Sequence, residues 1–337
     1  MRLSLFSTAS AVFLAMVCPA VAQEVVLKIQ TQHAATSLQG EALLDYAERV
    51  RGLTDGSLEL EILTSSAVVK ASESFEAAAM GILDGDSSSA TYLTGKDPAF
   101  QFYADVMGGY DDPFQILAWY RTEGGLDLAN ELYNAHGMQL VGVFAAMPEA
   151  LSSTKPLASV EDLQGWKFRA PPGMESEIFS KLGAAPVVTP FGEVFTAMST
   201  GAVAGTDAST LTVNRGLGIY DIAKHTTWPG FHSMPIEHVT LNLAKWNALS
   251  PQHQRAMQVA LDSMALDMAT RSMFDDLATA RALKTEGVAI HDWSPEDRAE
   301  FRAVAQETWA EWAEKSPAAK VAYDAHIAFM TRIGLIQ

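Results

Sequence analysis

Hydrophobic and polar positions along the chain follow two periods in turn, and this pattern predicts alternating strands and helices. The segment 25–29 (VVLKI) is apolar and β-branched, as in a strand, and 38–50 has the apolar spacing of a helix. The segment 57–62 (SLELEI) alternates with period two, as a half-buried strand does. Further strands are predicted at 86–92, 138–144, 165–170, 186–188, 203–209 and 236–243, and further helices at 72–83, 113–133, 174–182 and 192–200. Alternating elements with short connections indicate an α/β fold with an open, mostly parallel sheet.

The C-terminal third has a different pattern. Ser250-Pro251 and Ser294-Pro295 both read as helix starts, with serine as the N-cap and proline at the first helical position. No proline or glycine occurs from 252 to 286, which predicts one long helix, or two closely joined ones, ending at Gly287. The economical architecture is therefore two α/β lobes followed by long helices that brace both.

Composition limits the kinds of partner. The chain has 337 residues, 48% of them hydrophobic and 19% charged, which suits a globular protein of two lobes. Its 40 acidic and 23 basic residues give a formal net charge of −17, so the chain repels phosphate backbones and we expect no nucleic-acid partner. Any anion site must be a local exception, built from one or two well-placed cations or backbone N–H groups.

The first residues have the pattern of a secretory signal peptide, predicted at 1–22. Arg2 supplies the positive start, 3–17 is apolar, and Ala20-Val21-Ala22 supplies the small residues before the cleavage position. The apolar run is too short and interrupted for a transmembrane anchor, and a lipoprotein attached at Cys18 is the disfavoured alternative. Cleavage would remove Cys18, the only cysteine, so the mature chain would have no disulfide. These features predict a periplasmic protein.

Motifs typical of enzymes are absent from the sequence. It contains no G-x-S-x-G elbow, no H-E-x-x-H, no phosphate-binding P-loop and no G-x-G-x-x-G after a strand. The eight histidines show no metal-ligand spacing. We therefore expect no catalytic residue, no cofactor and no metal.

Several segments in the chain carry a family resemblance. The stretches GWKFRAP at 165–171, LGAAPV at 182–187 and FGEVFTAMSTGAV at 191–203 match in order and spacing. They resemble the solute-binding proteins of tripartite ATP-independent periplasmic (TRAP) transporters. The shorter stretches GKDPAF at 95–100, GIY at 218–220 and WPG at 228–230 are similar to the branch that includes 2-oxo-acid binders.

The resemblance covers the predicted mature chain and implies the two-lobed periplasmic binding protein fold. We expect lobe I to comprise residues 23–148 plus about 236–270. Lobe II is expected to comprise 149–235 plus about 271–337, which includes the C-terminal helices.

The resemblance also implies a role for Arg169, the arginine that closes the strand at 165–170. In the family, the arginine at this position forms a bidentate salt bridge to the ligand carboxylate in the cleft between the lobes. Carboxylate binding by this arginine is also reasonable independently of the family, because a guanidinium group is planar, always charged and matched in shape to a carboxylate. Open α/β sheets also bind ligands at the carboxyl ends of their strands.

Further cleft residues are expected from the same resemblance. Phe191 matches an aromatic residue that packs on the ligand, and Asp207 matches an acid that lines the cleft. The first lobe and the segment after 228–230 supply the remaining candidates, which are Gln32, His33, Ser89, Tyr92 and His232.

Two positions depart from the family pattern. Ala208 stands where relatives often have Asn or Trp, and Met147 lies in the region where some relatives that hold a cation have Gln. The sequence therefore predicts that no cation is bound. It also predicts a roomier, more apolar cleft that favours a bulky or aromatic carboxylate over a small 2-oxo acid.

The resemblance implies a protein that captures an organic carboxylate by cleft closure and delivers it to membrane permease subunits. A sensory binding protein and a periplasmic enzyme acting on a carboxylate are the alternatives. The chain alone leaves open whether the protein is a monomer or a homodimer.

Overall fold

The computed structural model describes residues 25–336. The predicted signal peptide at 1–22, with Cys18, lies outside the described residues. Within 25–336, none of the helices combines the length and the apolar character needed to cross a membrane.

The first sheet has five strands in the order β2-β1-β3-β10-β4. Strands β1, β2 and β3 are parallel, whereas β10 is antiparallel to both β3 and β4. Its strands are β1 (Val25–Thr31), β2 (Leu58–Leu63), β3 (Gly85–Ser89), β4 (Met138–Ala145) and β10 (Ile236–Asn242). The chain therefore returns to the first sheet after most of the second sheet has been built.

The second sheet has six strands in the order β11-β9-β5-β8-β6-β7. Strand β6 is parallel to β7 and β8, and β5 is antiparallel to β8 and β9. Its strands are β5 (Ser152–Ser153), β6 (Lys167–Ala170), β7 (Ala185–Val188), β8 (Gly205–Thr206), β9 (His225–Thr227) and β11 (Ala289–His291). Both sheets are thus mixed rather than purely parallel.

Thirteen α-helices surround the sheets in the described part of the chain. They are α1 (Leu38–Leu53), α2 (Ser74–Ala79), α3 (Phe100–Ala104), α4 (Pro113–Thr122), α5 (Gly125–Ala135), α6 (Met174–Lys181), α7 (Val194–Ser199), α8 (Leu211–Gly216), α9 (Ile219–Ile222), α10 (Leu243–Ala248), α11 (Pro251–Thr285), α12 (Pro295–Ala313) and α13 (Pro317–Arg332). Short 3-10 turns occupy Ala71–Glu73, Ala90–Leu93, Val160–Leu163 and Phe191–Glu193.

Capping side chains explain where the C-terminal helices begin. The hydroxyl groups of Ser250 and Ser294 each accept a backbone N–H of the first turn, ahead of proline at the first helical position. The prediction of helix starts at these two Ser-Pro pairs is confirmed. This region forms one helix of 35 residues, Pro251–Thr285, rather than two.

The helix predicted at 113–133 is wrong in one respect, because it is two helices. Gly124, at φ 79°, lies between α4 and α5 in the left-handed conformation, which interrupts the helical hydrogen bonds. The strand predicted at 203–209 is also shorter than expected, since only Gly205–Thr206 pair.

The long C-terminal helices contact both halves of the molecule. Helix α11 packs against α1 and β4 beside the first sheet and against α8 and β11 beside the second. Helices α12 and α13 pack against each other, with α12 on α6 and α13 on α3 and α5. The predicted two-lobed α/β fold with bracing helices is therefore confirmed.

The core beneath the second sheet positions the strand that carries Arg169. The rings of Trp166 and Phe168 stack 4.3 Å apart, and the indole N–H of Trp166 donates to the hydroxyl of Ser153. Both rings are fully buried. This anchoring fixes β6 so that its last residues reach the sheet edge in a defined orientation.

Candidate functional site

The carboxyl ends of strands from both sheets meet around one cavity. Gln32 and His33 follow β1, and Ser89 ends β3, so all three reach the same edge of the first sheet. From the second sheet, Arg169 lies near the end of β6, opposite Thr206 of the parallel β8. The position of the cavity agrees with the tendency of open α/β sheets to bind ligands outside the carboxyl ends of their strands.

Most of the residues predicted from the sequence line this cavity. They are Gln32, His33, Ser89, Tyr92, Arg169, Phe191 and Ala208. Two of these residues, both from the first lobe, are hydrogen-bonded to each other: the hydroxyl of Tyr92 donates to the side-chain oxygen of Gln32 at 3.1 Å. Phe191 comes from the other lobe, and its ring contacts His33 edge-on with 6.3 Å between centroids. The two walls therefore touch across the cavity.

Arg169 is held in place by backbone groups rather than by an acid. Its Nε donates to the carbonyl oxygen of Thr189 at 2.8 Å, and Nη1 donates to that of Asp207 at 2.5 Å. The side chain is 3% exposed. No carboxylate oxygen within 25–336 lies at salt-bridge distance from this guanidinium group, so its charge is available to a ligand.

A histidine and a glutamate pair on the first-lobe side of the cavity. His33 Nε2 lies 2.9 Å and 2.8 Å from the two carboxylate oxygens of Glu237 in β10. Both side chains are buried. This contact gives Glu237 a cationic partner when the imidazole is protonated, and it fixes the His33 ring against the cavity.

Three of the predicted residues are not among those that line the cavity. Asp207, His232 and Met147 are all buried behind its wall. Successive side chains of an extended segment point to opposite sides, so Ala208 faces the cavity while Asp207 faces away from it. Of the two departures from the family pattern, only Ala208 then faces the cavity, among lining residues that mostly carry polar side chains.

Aromatic rings enclose His232, and Met147 lies in the main hydrophobic core. The His232 ring packs edge-on against Phe179 and Phe301, with centroids 6.0 Å and 6.4 Å away. Met147 has a left-handed backbone conformation, at φ 72°, and belongs to the largest cluster of buried apolar residues. These surroundings explain why neither side chain reaches the cavity.

The sequence analysis missed a group of acidic residues that line the cavity. They are Asp105, Glu149 and Glu175, in addition to Glu237. Glu149 could have been found, because it follows closely after β4, which runs parallel to β3 and ends at the same sheet edge. Asp105 follows the short helix α3 and Glu175 opens α6, and neither position carries a sequence signal for a cleft.

The hydroxyl of Ser233 bridges two of these acids. Its oxygen lies 2.6 Å from Asp105 Oδ2 and 2.8 Å from Glu149 Oε2. A hydroxyl group has one proton, so it can donate to one carboxylate, and the other contact requires a protonated carboxyl. Burial raises the pKa of Asp105 to about 7, and the Ser233 contact only partly opposes this. Burial and the nearby Asp207 charge raise the pKa of Glu149 well above its usual range.

The fully buried Asp207 lies among the acids and a histidine. His232 Nε2 is 3.2 Å from Asp207 Oδ1, although neither Asp207 oxygen has an aligned hydrogen-bond donor in the described residues. Burial alone would raise the pKa of Asp207, but the charge of His232 and its other neighbours lower it overall. Burial and the Asp207 charge raise the pKa of Glu175 well above its usual range.

One group of side chains has the spacing to hold a cation. Ligand atoms of Glu149, Asp207 and His232 lie within 4.8 Å of one another, and all three residues are buried. Two carboxylates and one imidazole are a donor set that a divalent ion accepts. The expectation from sequence that no cation is bound stays a prediction.

Comparison with known proteins gives consistent matches over most of the chain. The family described as "Bacterial extracellular solute-binding protein, family 7" matches residues 29–316. A monocarboxylate 2-oxoacid-binding periplasmic protein of Nostoc sp. is 26% identical over 298 residues, which cover 85% of this chain and 79% of that protein.

Two solved structures illustrate the structural match. A TRAP periplasmic solute-binding protein of Rhodobacter sphaeroides, in an apo open form, is 35% identical with a TM-score of 0.77, covering 92% of this chain and 99% of the other. A TRAP transporter solute-binding protein of Bordetella bronchiseptica, with calcium and picolinate in its site, has a TM-score of 0.83 at 23% identity. That second match covers 92% of this chain and 93% of the other, and it shows the shared fold.

Proposed function

The chain belongs to the bacterial extracellular solute-binding proteins of family 7, and we propose that it captures an organic carboxylate for a TRAP transporter. The family and its structural neighbours are solute-binding proteins rather than enzymes. The protein binds its ligand in the cavity between the lobes, closes over it, and delivers it to the membrane permease subunits. Export by the predicted signal peptide would place the protein in the periplasm, where the permease collects its cargo.

The state of Arg169 is the observation that carries this proposal. A buried guanidinium group without a carboxylate partner is costly unless a ligand completes its charge pairing. Nε and Nη1 of Arg169 each donate to a backbone carbonyl oxygen, whereas Nη2 has no hydrogen-bond partner in the described residues. The remaining N–H groups suit a carboxylate, which accepts hydrogen bonds from such a fork.

The predicted division into lobes fits this use of the cavity. The strands of the first sheet fall within 23–148 and about 236–270, and those of the second within 149–235 and about 271–337. The candidate residues Gln32, His33, Ser89 and Tyr92 would then bind from lobe I, while Arg169, Phe191 and Ala208 would bind from lobe II. A ligand held by both sides stabilises the closed arrangement over the open one.

A thermal-shift screen with mono-, di-, 2-oxo and aromatic carboxylates tests the proposal. At least one acid should raise the melting temperature of the wild-type protein, because a ligand that binds only the folded state stabilises it. The Arg169→Ala variant should lose that shift while keeping its own folded circular dichroism spectrum. An unchanged shift in this variant would remove Arg169 from the site and overturn the proposal.

A further inference from the structure

The outward face of helix α11 is apolar, although the rest of the described chain leaves it uncovered. Val259, Leu266, Met273 and Leu277 are between 39% and 54% exposed, and Phe274 beside them is 61% exposed. Five of the sixteen exposed large apolar side chains of residues 25–336 therefore lie on this one helix. Single apolar residues on a surface are ordinary, whereas a continuous row of them indicates a contact surface.

This row has the spacing at which two helices pair. The α11 seam (Val259, Leu266, Thr270, Met273 and Leu277) advances in steps of 7, 4, 3 and 4 residues, so its members form one line along the helix. Ser263, a small polar residue, occupies the position that the step of 7 skips. The line is about 27 Å long, because its ends are 18 residues apart at a rise of about 1.5 Å. Steps of three and four residues allow the side chains of two helices to interlock.

The opposite face of α11 already packs inside the molecule. Met257, Leu261, Met264 and Met268 belong to the buried core beside the first sheet. The helix is thus apolar on two opposite faces, of which the folded chain covers only one. A helix at the surface of a globular protein normally has polar and charged residues opposite its buried face. The second apolar face therefore indicates a partner outside the chain.

The charges beside the seam identify the partner, because they differ between its two ends. Asp262 and Asp267 flank the N-terminal half; each is bonded to an arginine of another helix and remains 63% exposed. Arg281 and Lys284 lie exposed near the C-terminal end, and the salt bridges within residues 25–336 include neither. Arg255 precedes the seam by one turn. A seam with acids at one end and cations at the other is complementary to a second copy that runs in the opposite direction.

We propose that the protein forms a two-fold symmetric homodimer in which the α11 seams of two copies pack antiparallel. In this arrangement Leu266 of one copy lies opposite Leu277 of the second copy, and Thr270 lies opposite Met273. Each contact occurs twice, as a two-fold axis requires. The four exposed apolar side chains of each seam thereby leave the solvent together.

The same arrangement pairs the charges on both sides of the seam. Asp262 comes within reach of Lys284 of the second copy on one side. On the other side Asp267 lies toward Arg281 of the second copy, with Phe274 covering that edge of the seam. Opposite charges at both edges favour the antiparallel pair over a parallel one, which would place like charges side by side.

Dimerisation through this seam is compatible with ligand capture and does not depend on which ligand is bound. The cavity-lining residues of the described chain include none from α11, so both cavities of the dimer stay accessible. Helix α11 packs against α1 and β4 on one side of the molecule and against α8 and β11 on the other. The seam therefore joins two copies through the element that spans both lobes.

Sedimentation equilibrium of the protein purified from the periplasmic fraction tests the dimer, at about 1 to 100 μM. The wild type should have twice the mass of the single chain at the upper end of this range. Leu266→Glu should raise the dimer Kd at least about a hundredfold, because two glutamates would be buried against apolar side chains. The matched control Val321→Glu changes an apolar side chain of similar exposure, 51%, in α13 and should leave the mass unchanged. Met273→Glu is the second seam variant if Leu266→Glu lacks a folded circular dichroism spectrum.

A mixing experiment tests the antiparallel direction. Lys284→Glu places an acid opposite Asp262 of the second copy, and Asp262→Lys places a cation opposite Lys284. Each variant alone should have a dimer Kd at least about tenfold above that of the wild type. An equimolar mixture of the two should regain most of the wild-type affinity, because the mixed pair has opposite charges at both contacts.

Four results would overturn the proposal. They are a wild type that stays monomeric at about 100 μM, a dimer that persists in both seam variants, a dimer that Val321→Glu disrupts equally, and a mixture of charge variants that does not recover. A monomeric wild type whose Leu266→Glu variant binds ligand normally but no longer supports uptake by cells would assign the seam to a different protein, such as a permease subunit.

Discussion

The guanidinium group of Arg169 donates from Nη1 to the backbone carbonyl oxygen of Asp207 at 2.5 Å, across the parallel pair β6 and β8. A second carbonyl, that of Thr189, accepts from Nε at 2.8 Å. Neutral peptide oxygens orient the guanidinium group without cancelling its charge. Arg169 is thus fixed in place before any ligand arrives, so little side-chain entropy is lost on binding.

Replacement of Arg169 by lysine should show that this orientation matters as well as the charge. The Arg169→Lys variant keeps a cation, but one ammonium group cannot replace two fixed N–H contacts and still present a fork to a carboxylate. We expect the affinity for the ligand to fall by at least about tenfold, equivalent to about 1.4 kcal/mol. Calorimetric titration of the wild-type protein and of the variant measures the two affinities, and equal values would show that the charge alone suffices.

Gln101 joins the two sides of the molecule beside the cavity. Its side-chain oxygen accepts from the backbone N–H of Met174 in α6, and its amide donates to the carbonyl of Asp105, both at 2.9 Å. Gly173 approaches this oxygen so closely that an added Cβ would lie 2.2 Å from it. Gln101 therefore ties α3 to the helix that carries Glu175.

Truncation of Gln101 should speed ligand release. Gln101→Ala leaves two buried backbone groups without partners, each of which costs about 1–3 kcal/mol, and it loosens the contact between the lobes. We expect the dissociation rate to rise at least about tenfold with a smaller change in association rate, as measured by stopped-flow tryptophan fluorescence. In the matched control Gln139→Ala, the lost side-chain amide donates to the adjacent Leu140 carbonyl in β4, and ligand release should be unaffected.

The candidate site was predictable from the sequence where it depends on strand ends. Arg169 closes the strand predicted at 165–170, and the family resemblance added Ser89, Phe191 and Ala208. Gln32, His33 and Ser89 lie together because the parallel strands β1 and β3 end at the same edge of the first sheet. Asp207 and Ala208 were both predicted to lie in the cleft, but successive side chains of an extended segment point to opposite sides, so only Ala208 lines the cavity.

The rest of the site depends on contacts between segments far apart in the chain. Asp105 and Ser233 meet across 128 residues, and their pairing comes from the packing of α3 against β10 and of the loop before it. No local sequence pattern predicts a contact between two residues so far apart in the chain. The fold was more predictable than the site, because the Ser-Pro caps and the absence of glycine and proline in α11 act locally.

The stacking of Trp166 on Phe168, which supports the strand of Arg169, should be disrupted if Gly205 is replaced by a residue with a side chain. A Cβ at this position would lie 2.3 Å from Trp166 Cζ2 and 2.7 Å from the carbonyl oxygen of Ser152, neither of which can move freely. We expect Gly205→Ala to lower the free energy of unfolding by about 1–3 kcal/mol or more.

Gly52→Ala is the control of opposite sign for this variant. Gly52 lies in α1 with nothing within 4 Å of an added Cβ, so alanine there should raise the free energy of unfolding by about 0.5–1 kcal/mol. Urea denaturation measures both variants. A neutral Gly205→Ala would mean that β8 can shift away from Trp166.

His326 occupies a buried position in α13 that accepts only the neutral ring. Its Nε2 donates to the carbonyl of Phe102 at 2.9 Å, Nδ1 accepts from the hydroxyl of Tyr110 at 2.7 Å, and the ring stacks 3.8 Å from Trp119. Burial lowers the pKa of His326 to about 3, well below its ordinary value, and the Phe102 contact only partly opposes this.

Acid should therefore unfold the protein partly through His326. Between pH 6.5 and 3 the unfolded chain binds a proton that the folded chain does not, so the free energy of unfolding falls as pH falls. The titration of His326 alone changes the free energy of unfolding by up to about 1.4 kcal/mol per pH unit.

His326→Gln should be less stable than the wild type at pH 7 but should lose less stability by pH 4, as measured by urea denaturation at each pH. Other titrating groups act equally in both proteins, and His253→Gln, at a partly exposed position, should keep the wild-type slope. Identical slopes for the wild type and His326→Gln would show that His326 is already protonated in the folded protein.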